Sequence, residues 1–270
     1  MHTVTSCHNR REFCPGGPEL MFGVEDLTAD GDAYRGVMTT GPWSKGPGNA
    51  AAVGVLADIV LGYALIASSP ADRWSVSTEI SLDFLGPLPS DGSLLTAEGR
   101  VVHQSPGTGL AEGSITTSHG RPLARCRQWG RFIEVDPAER PGEIPFAGPC
   151  RSAEELADTV GGTVAAADGR ARISLSIEDD LVNPLRTLHG GITLWLAEFL
   201  AGRAVESVAG PLIPASLTVS YLRPLVCGDL ATFSAEVTSS GRRLAVTQVT
   251  GVNQAGKPCI VALAHHHGAH

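Results

Sequence analysis

The sequence predicts an α+β chain built as two tandem copies of one unit, each a single buried helix followed by an antiparallel meander. Three observations predict it. Two long apolar segments, Ala50 to Ala67 and Ile192 to Ala201, each carry one acid, Asp58 and Glu198. Strand-like runs separated by turn signals follow each of them. The two halves also match letter by letter: Leu56-Ala57-Asp58 with Gly62 and Ala64 matches Leu196-Ala197-Glu198 with Gly202 and Ala204. Further on, Ile80-x-Leu82-x-Phe84-Leu85-x-Pro87 matches Leu217-x-Val219-x-Tyr221-Leu222-x-Pro224, and Gly120-Arg121-Pro122 matches Gly256-Lys257-Pro258.

Composition bounds the function. The 270 residues are 43% hydrophobic and 18% charged, which describes a globular chain with a sizeable core and not a disordered one. A net charge of -8 argues against unspecific attraction to nucleic acid or to an anionic membrane, though local basic patches still decide small polyanions. The six cysteines form no C-x-x-C pair and no secretory pattern precedes them, so reduced thiols and a cytoplasmic location are expected. Ala50 to Ala67 is long enough to tempt a membrane reading, but Asp58 at its centre and its many Ala and Gly residues oppose it.

In chain order, residues 1–20 hold His2, Cys7, His8 and Cys14 among Gly, Pro and Arg, with no apolar period and no zinc spacing. A loosely ordered tail is expected there. Phe22 to Thr40 is weakly strand-like and ends in the Gly- and Pro-rich loop Gly41 to Asn49. The helix Ala50 to Ala67 is apolar on nearly all faces, which predicts that other elements enclose it. Strands follow at Ser77 to Leu85, with Ile80, Leu82 and Phe84 on one face, at Leu94 to Val102 and at Leu110 to Thr117. His119 to Pro122 turns into a last strand, Leu123 to Val135.

Asp136 to Cys150 carries four prolines and two glycines and reads as a linker. The units are therefore expected at 21–137 and 151–267, joined by 138–150. The second begins with a short helix, Ser152 to Val160, and a strand near Arg172 to Ile177. After its long helix, strands fall near Ser216 to Leu222, Ala231 to Thr238, Leu244 to Val252 and Pro258 to Ala264, and the histidines 265–267 with His270 read as a disordered end.

The motif richest in chemistry is Asn183-x5-His189-Gly190-Gly191-x6-Glu198. Unpaired N–H groups at a helix N-terminus, helped by the dipole, can stabilise an oxyanion, and glycine lets a substrate approach that backbone. An acid in an apolar groove can act as general base or as nucleophile. Yet Gly190 and Glu198 lie eight positions apart, or about 12 Å along one helix, too far to act on one carbonyl carbon. The acid meeting Gly190 must come from the other copy.

A buried helix opening with His-Gly-Gly, an acid nine residues after the His and a meander behind it resemble the hotdog-fold acyl-CoA thioesterases, particularly the phenylacetyl-CoA thioesterase-like branch. The resemblance covers about residues 21–137 and 151–267 and implies a tandem double hotdog, with sheets wrapped round the helices. It implies hydrolysis of an acyl-CoA thioester at a composite site and no metal or redox cofactor; it leaves the oligomeric state open between an internal pair and the further assembly into homo-oligomers common in relatives. By the family pattern one site pairs Asn183, His189, Gly190 and Gly191 with Asp58, and places Ser77 where a hydroxyl orients water. The other would pair Glu198 with the loop at Asn49-Ala50-Ala51, where Trp43 replaces Asn183 and Pro214 replaces Ser77; this second site is expected to be degenerate.

Several residues keep more than one reading. His189 is a general base or a ring holding the helix entry, Asn183 a carbonyl binder or an Asn-Pro turn, and Thr78 stands ready to replace Ser77. Asn49, Arg242 and Arg243 are the substrate-binding candidates, the arginines for the nucleotide phosphates of CoA or as a solvated hairpin. The alternatives to hydrolysis are an acyl-CoA-binding hotdog without chemistry and a hotdog hydratase or dehydratase.

Overall fold

The computed structural model of the chain describes residues 13–45, 49–70, 72–135, 146 and 148–268. Most of the expected linker lies outside them. The first half runs α1 (Gly17–Phe22), β1 (Val24–Asp30), β2 (Ala33–Thr39), α2 (Val53–Ser68), β3 (Arg73–Phe84), β4 (Leu94–Gln104), β5 (Thr108–Thr117) and β6 (Pro122–Glu134). The second runs α3 (Ala153–Thr163), β7 (Ala165–Ala167), β8 (Arg170–Ser176), α4 (Gly190–Ala209), β9 (Ile213–Tyr221), β10 (Leu230–Ser240), β11 (Leu244–Val252) and β12 (Pro258–His267).

The twelve strands of the described residues form one antiparallel sheet, ordered β1-β2-β4-β5-β6-β3-β9-β12-β11-β10-β8-β7. The pairing is not the simple meander expected after each helix: β3 pairs with β6 and β9, while β4 crosses to pair with β2. The strand that follows each long helix is thereby brought to the middle, where the two halves meet. At that seam Ser81 pairs with Thr218, and their hydroxyls lie 3.1 Å apart. The repeat that equates Ile80 with Leu217 equates these two residues as well, so a pseudo-twofold axis passes between them.

The long helices sit inside the curved sheet because no face of either is polar enough to meet water. Leu56, Leu61 and Leu65 of α2 and Leu194, Leu196 and Leu200 of α4 are all fully buried. By length and composition Ala50–Ser68 would pass for a membrane span, and here strands and the second helix enclose it. The two helices touch near their N-termini. A Cβ on Gly54 would lie 2.8 Å from Leu194 Cδ1, and one on Gly191 would lie 2.7 Å from the Val55 backbone nitrogen, so side chains at both positions would force the helices apart.

Two segments depart from expectation. Residues 17–20, read as part of a tail, open α1, whose Gly17 packs so closely on Asp180 that a Cβ would fall 2.6 Å from the Asp180 Cα. Pro18 at the helix start and a left-handed Gly23 at its end (φ 70°) give this short helix its bounds. The histidines 265–267, read as a disordered end, complete β12 against β11 and β9. Their alternation with Ala264 and Ala262 places His266 on the buried face.

Candidate functional site

The N-terminus of α4 meets the middle of α2. Asp58 Oδ2 accepts the Gly191 N–H at 3.1 Å, and a Cβ on Gly190 would lie 2.6 Å from that same oxygen. Only glycine admits the carboxylate there. Among the described residues the Gly190 N–H has no protein acceptor, as expected for the first N–H of a helix.

A β-bulge aims the next group. In β3 the pairing with β6 skips Thr78, so that Ser77 opposes Gly130 and Glu79 opposes Trp129. Simple alternation with Ile80 and Leu82 would turn Thr78 inward; the extra residue turns Ser77 inward and Thr78 out. Ser77 Oγ donates to Asp58 Oδ1 at 3.4 Å and accepts from Gln128 Nε2 at 2.9 Å, whereas the exposed Thr78 hydroxyl bonds to the Trp129 carbonyl.

His189 caps α4. Its Nδ1 accepts the Gly191 N–H at 3.0 Å and lies 3.4 Å from Asp58 Oδ2, and its Nε2 lies 3.1 Å from Glu19 Oε1. An Nδ1 that accepts from an amide assigns the ring proton to Nε2, where Glu19 receives it. When the ring takes a second proton, Nδ1 becomes a donor facing Asp58. Glu19 comes from α1, and its other oxygen, Oε2, accepts the Gly16 N–H at 2.9 Å.

Charge and burial set the titration of this group. Burial pushes the Asp58 carboxyl above its usual range, and the opposing pull of His189 and the Gly191 N–H does not cancel it. Burial favours the neutral His189 ring, but the Glu19 and Asp58 carboxylates outweigh burial and hold the imidazole above its usual value. Glu19 is held below the usual range: burial raises it, and its charge and hydrogen-bond interactions with His189 more than reverse that. The Tyr221 phenol, driven well up by burial and by the Asp58 charge, donates to the Gly190 carbonyl at 2.9 Å.

The other candidates fall elsewhere. Asn183 Oδ1 accepts from the Leu185 and Thr187 N–H groups and from the Thr187 hydroxyl, fixing the turn before His189; its amide nitrogen has no protein acceptor among the described residues. Asn49 is not open to a substrate: Oδ1 takes the Trp195 indole N–H at 3.1 Å and Nδ2 donates to the Lys45 carbonyl. Arg242 and Arg243 sit at the β10–β11 turn beside Gly268 and bond to none of the side chains around Asp58.

Glu198 belongs to a different centre. It is 1% exposed and lies 3.2 Å from His266 Nε2. Here the bulge recurs at the equivalent place, with Pro214 opposite His266 and Ser216 opposite His265. On the side of the acid and its strands four replacements distinguish the two centres: Glu198 for Asp58, Pro214 for Ser77, Ala264 for Gln128 and His266 for Gly130. The backbone frame is kept while the hydroxyl is lost and an imidazole fills the space.

Tyr221 and Glu19 were not foreseen. Tyr221 had one trace in the sequence, a hydroxyl added where the repeat has Phe84. Glu19 had none, because the contact joins residues 170 positions apart.

Residues 35–132 match the family model described as Acyl-CoA thioesterase C-terminal domain, and residues 185–260 match the Thioesterase superfamily model. Each half of the chain is thus similar to a thioesterase model over part of its length. Among curated proteins, acyl-coenzyme A thioesterase 13 of Homo sapiens is 29% identical over 94 residues, 34% of this chain and 67% of that protein. Acyl-coenzyme A thioesterase PaaI of Escherichia coli is 28% identical over 90 residues, 33% of this chain and 64% of that protein. The chain thus spans about two thirds of the length of these curated relatives. Across both halves, the acyl-CoA thioesterase II TesB2 of Mycobacterium marinum superposes with a TM-score of 0.63 at 9% identity, covering 94% of this chain and 98% of that one. The shared architecture is the double hotdog.

Proposed function

We propose that the chain is a cytoplasmic acyl-CoA thioesterase with one working centre, built from Asp58 and Ser77 of the first half and Asn183 and His189 to Gly191 of the second. The observation that carries this reading is the placement of the Asp58 carboxylate against the N-terminus of α4, where a free N–H and a buried base stand side by side. Both matching family models are thioesterase models, which supports hydrolysis over hydration or simple binding.

In this reading the thioester oxygen lies toward the Gly190 N–H, where the dipole and the donor stabilise the negative charge of the tetrahedral adduct. A water beside Ser77 adds to the carbonyl carbon and its proton passes to Asp58. The C–S bond then breaks, the thiolate of CoA takes up a proton, and free acid leaves. A carboxyl raised above the usual aspartate range is a stronger base than an ordinary aspartate, and donors on both its oxygens hold it in one plane.

Purified protein in a thiol-reporting assay with acetyl-, phenylacetyl-, hydroxybenzoyl- and long-chain CoA tests the activity. Asp58→Ala should lower kcat by about 10²- to 10⁴-fold, while Glu198→Ala retains turnover. Full activity in Asp58→Ala with loss in Glu198→Ala would reverse the assignment of the working centre. Single turnover in ¹⁸O-water should leave the Asp58 peptide unlabelled; label appearing there would make Asp58 the nucleophile instead.

A further inference from the structure

We propose that Glu19 is a positioning residue of this centre: by accepting the Nε2 proton of His189 it keeps Nδ1 turned to the α4 N-terminus, and so holds the Gly191 amide and Asp58 in register. The proposal rests on the thioesterase reading and adds to it an element, α1, that lies outside both matched family segments.

The geometry is specific. Glu19 and His189 are 4% and 2% exposed, so neither is a surface pair in which solvent could replace the partner. Both carboxylate oxygens have a donor to serve, Oε1 the imidazole and Oε2 the Gly16 N–H. Only a carboxylate accepts at both positions. An amide in its place would set an N–H group against one of those donors, or force the ring proton to Nδ1, where it would confront the Gly191 N–H.

The arrangement that would follow without Glu19 shows what it contributes. A neutral imidazole without that acceptor is free to place its hydrogen on Nδ1, toward Asp58 and against Gly191. The Gly191 N–H would then lean wholly on Asp58 Oδ2, altering the basicity and direction of the carboxylate that must take the proton from water. Second-tier carboxylates that orient a functional imidazole contribute on this scale in other sites.

Docking of α1 makes the contact possible. Cys150 Sγ meets the Gly17 carbonyl at 3.3 Å, and Arg151 grips Asp180 with Nε at 2.7 Å and Nη2 at 2.6 Å beneath it. Among the described residues the other titratable groups facing this ensemble are Asp58 from α2, Tyr221 from β9 and the Cys150 thiol beside Glu19.

The test uses the full chain with Glu19→Ala and Glu19→Gln, reading kcat and KM on the best CoA ester of the panel, the pH profile of kcat/KM, and the ¹H–¹⁵N signals of the His189 ring. Both variants should lose about 10- to 100-fold in kcat with KM changed less than about threefold. The Nε2–H signal of the wild type should give way to mixed tautomers, and in both variants the ring should titrate at lower pH than in the wild type. Gly17→Val, which cannot seat α1 on Asp180, should reproduce the kinetic loss. Unchanged kcat, pH profile and ring tautomer in folded Glu19→Gln would overturn the proposal. The ring signals are independent of turnover, so a protein that hydrolyses no CoA ester yet shows the tautomer shift would refute the thioesterase reading and leave the Glu19 assignment standing. A kinetic loss with unaltered ring signals and pH profile would mean that α1 matters only as a cover.

Discussion

At the residue scale the candidate centre is a small electrostatic assembly in which each group sets the state of the next. Glu19, its pKa depressed, stabilises the fold above its ordinary value of 4.5, and that contribution is lost as pH falls through its folded value. His189, its pKa raised, stabilises below 6.5, and its contribution is lost as pH rises through its folded value. The pair alone gives a plateau between about pH 4.5 and 6.5, and Asp58, its pKa raised, removes stability as pH rises from 3.8 through its folded value, so the melting temperature should decline toward the alkaline side. Glu19→Gln should flatten that decline, as followed by circular dichroism across pH. An alkaline decline of unchanged depth in the variant would show that other groups cause it. Residues were legible where the repeat or the motif carried them, as with Asp58 and the two glycines. Ser77 against Thr78 was undecidable, because one bulged residue reverses the face of everything before it, and a bulge leaves no mark in a pattern of alternation.

Elements were read well where their signals are local. Ser152 and Glu155 form a capping box at the expected start of α3, with the Glu155 N–H on the Ser152 hydroxyl at 3.1 Å and the reciprocal bond at 2.8 Å. The apolar helices were recognisable from length and composition alone. Hidden from the sequence were β12's extension through His267 and the docking of α1, both of which depend on partners far along the chain. The Gly-Gly pair also has a function the motif does not reveal: Gly190 makes room for a carboxylate and Gly191 for a backbone. Gly191→Ala should lower stability by about 1–3 kcal/mol through overpacking, since Val55 main-chain atoms cannot give way as a side chain can. Denaturant unfolding measures this, and an unchanged midpoint would mean that the helices separate freely at the crossing.

For the whole molecule, the continuous sheet matters more than the covalent connection between the halves. β3 and β9 pair over five residue pairs at the seam, and α2 packs on α4 across it. A protease site inserted at 138–145 and cut in the folded protein should leave two fragments that co-elute and keep turnover, because their association rests on these contacts. Separation of the fragments on a sizing column without denaturant would contradict this. Two copies of one α+β unit were legible from the repeat, and the double hotdog from the family resemblance of the His-Gly-Gly motif; the crossover that brings β3 to the seam was not, since strand order is set by pairings that no local pattern encodes.

The two bulges, one skipping Thr78 and one skipping Ala215, are the same joint carrying different tools. Two copies in one chain allow this. In a symmetric dimer of one gene product every substitution is made twice, so an imidazole at the second centre would have intruded on the first. In one chain each copy can specialise: the first supplies an acid and the second a helix end. Substitutions around Asp58 and around Glu198 should consequently be subject to unlike constraints, chemistry at one and packing at the other, although the backbone beneath them is nearly identical.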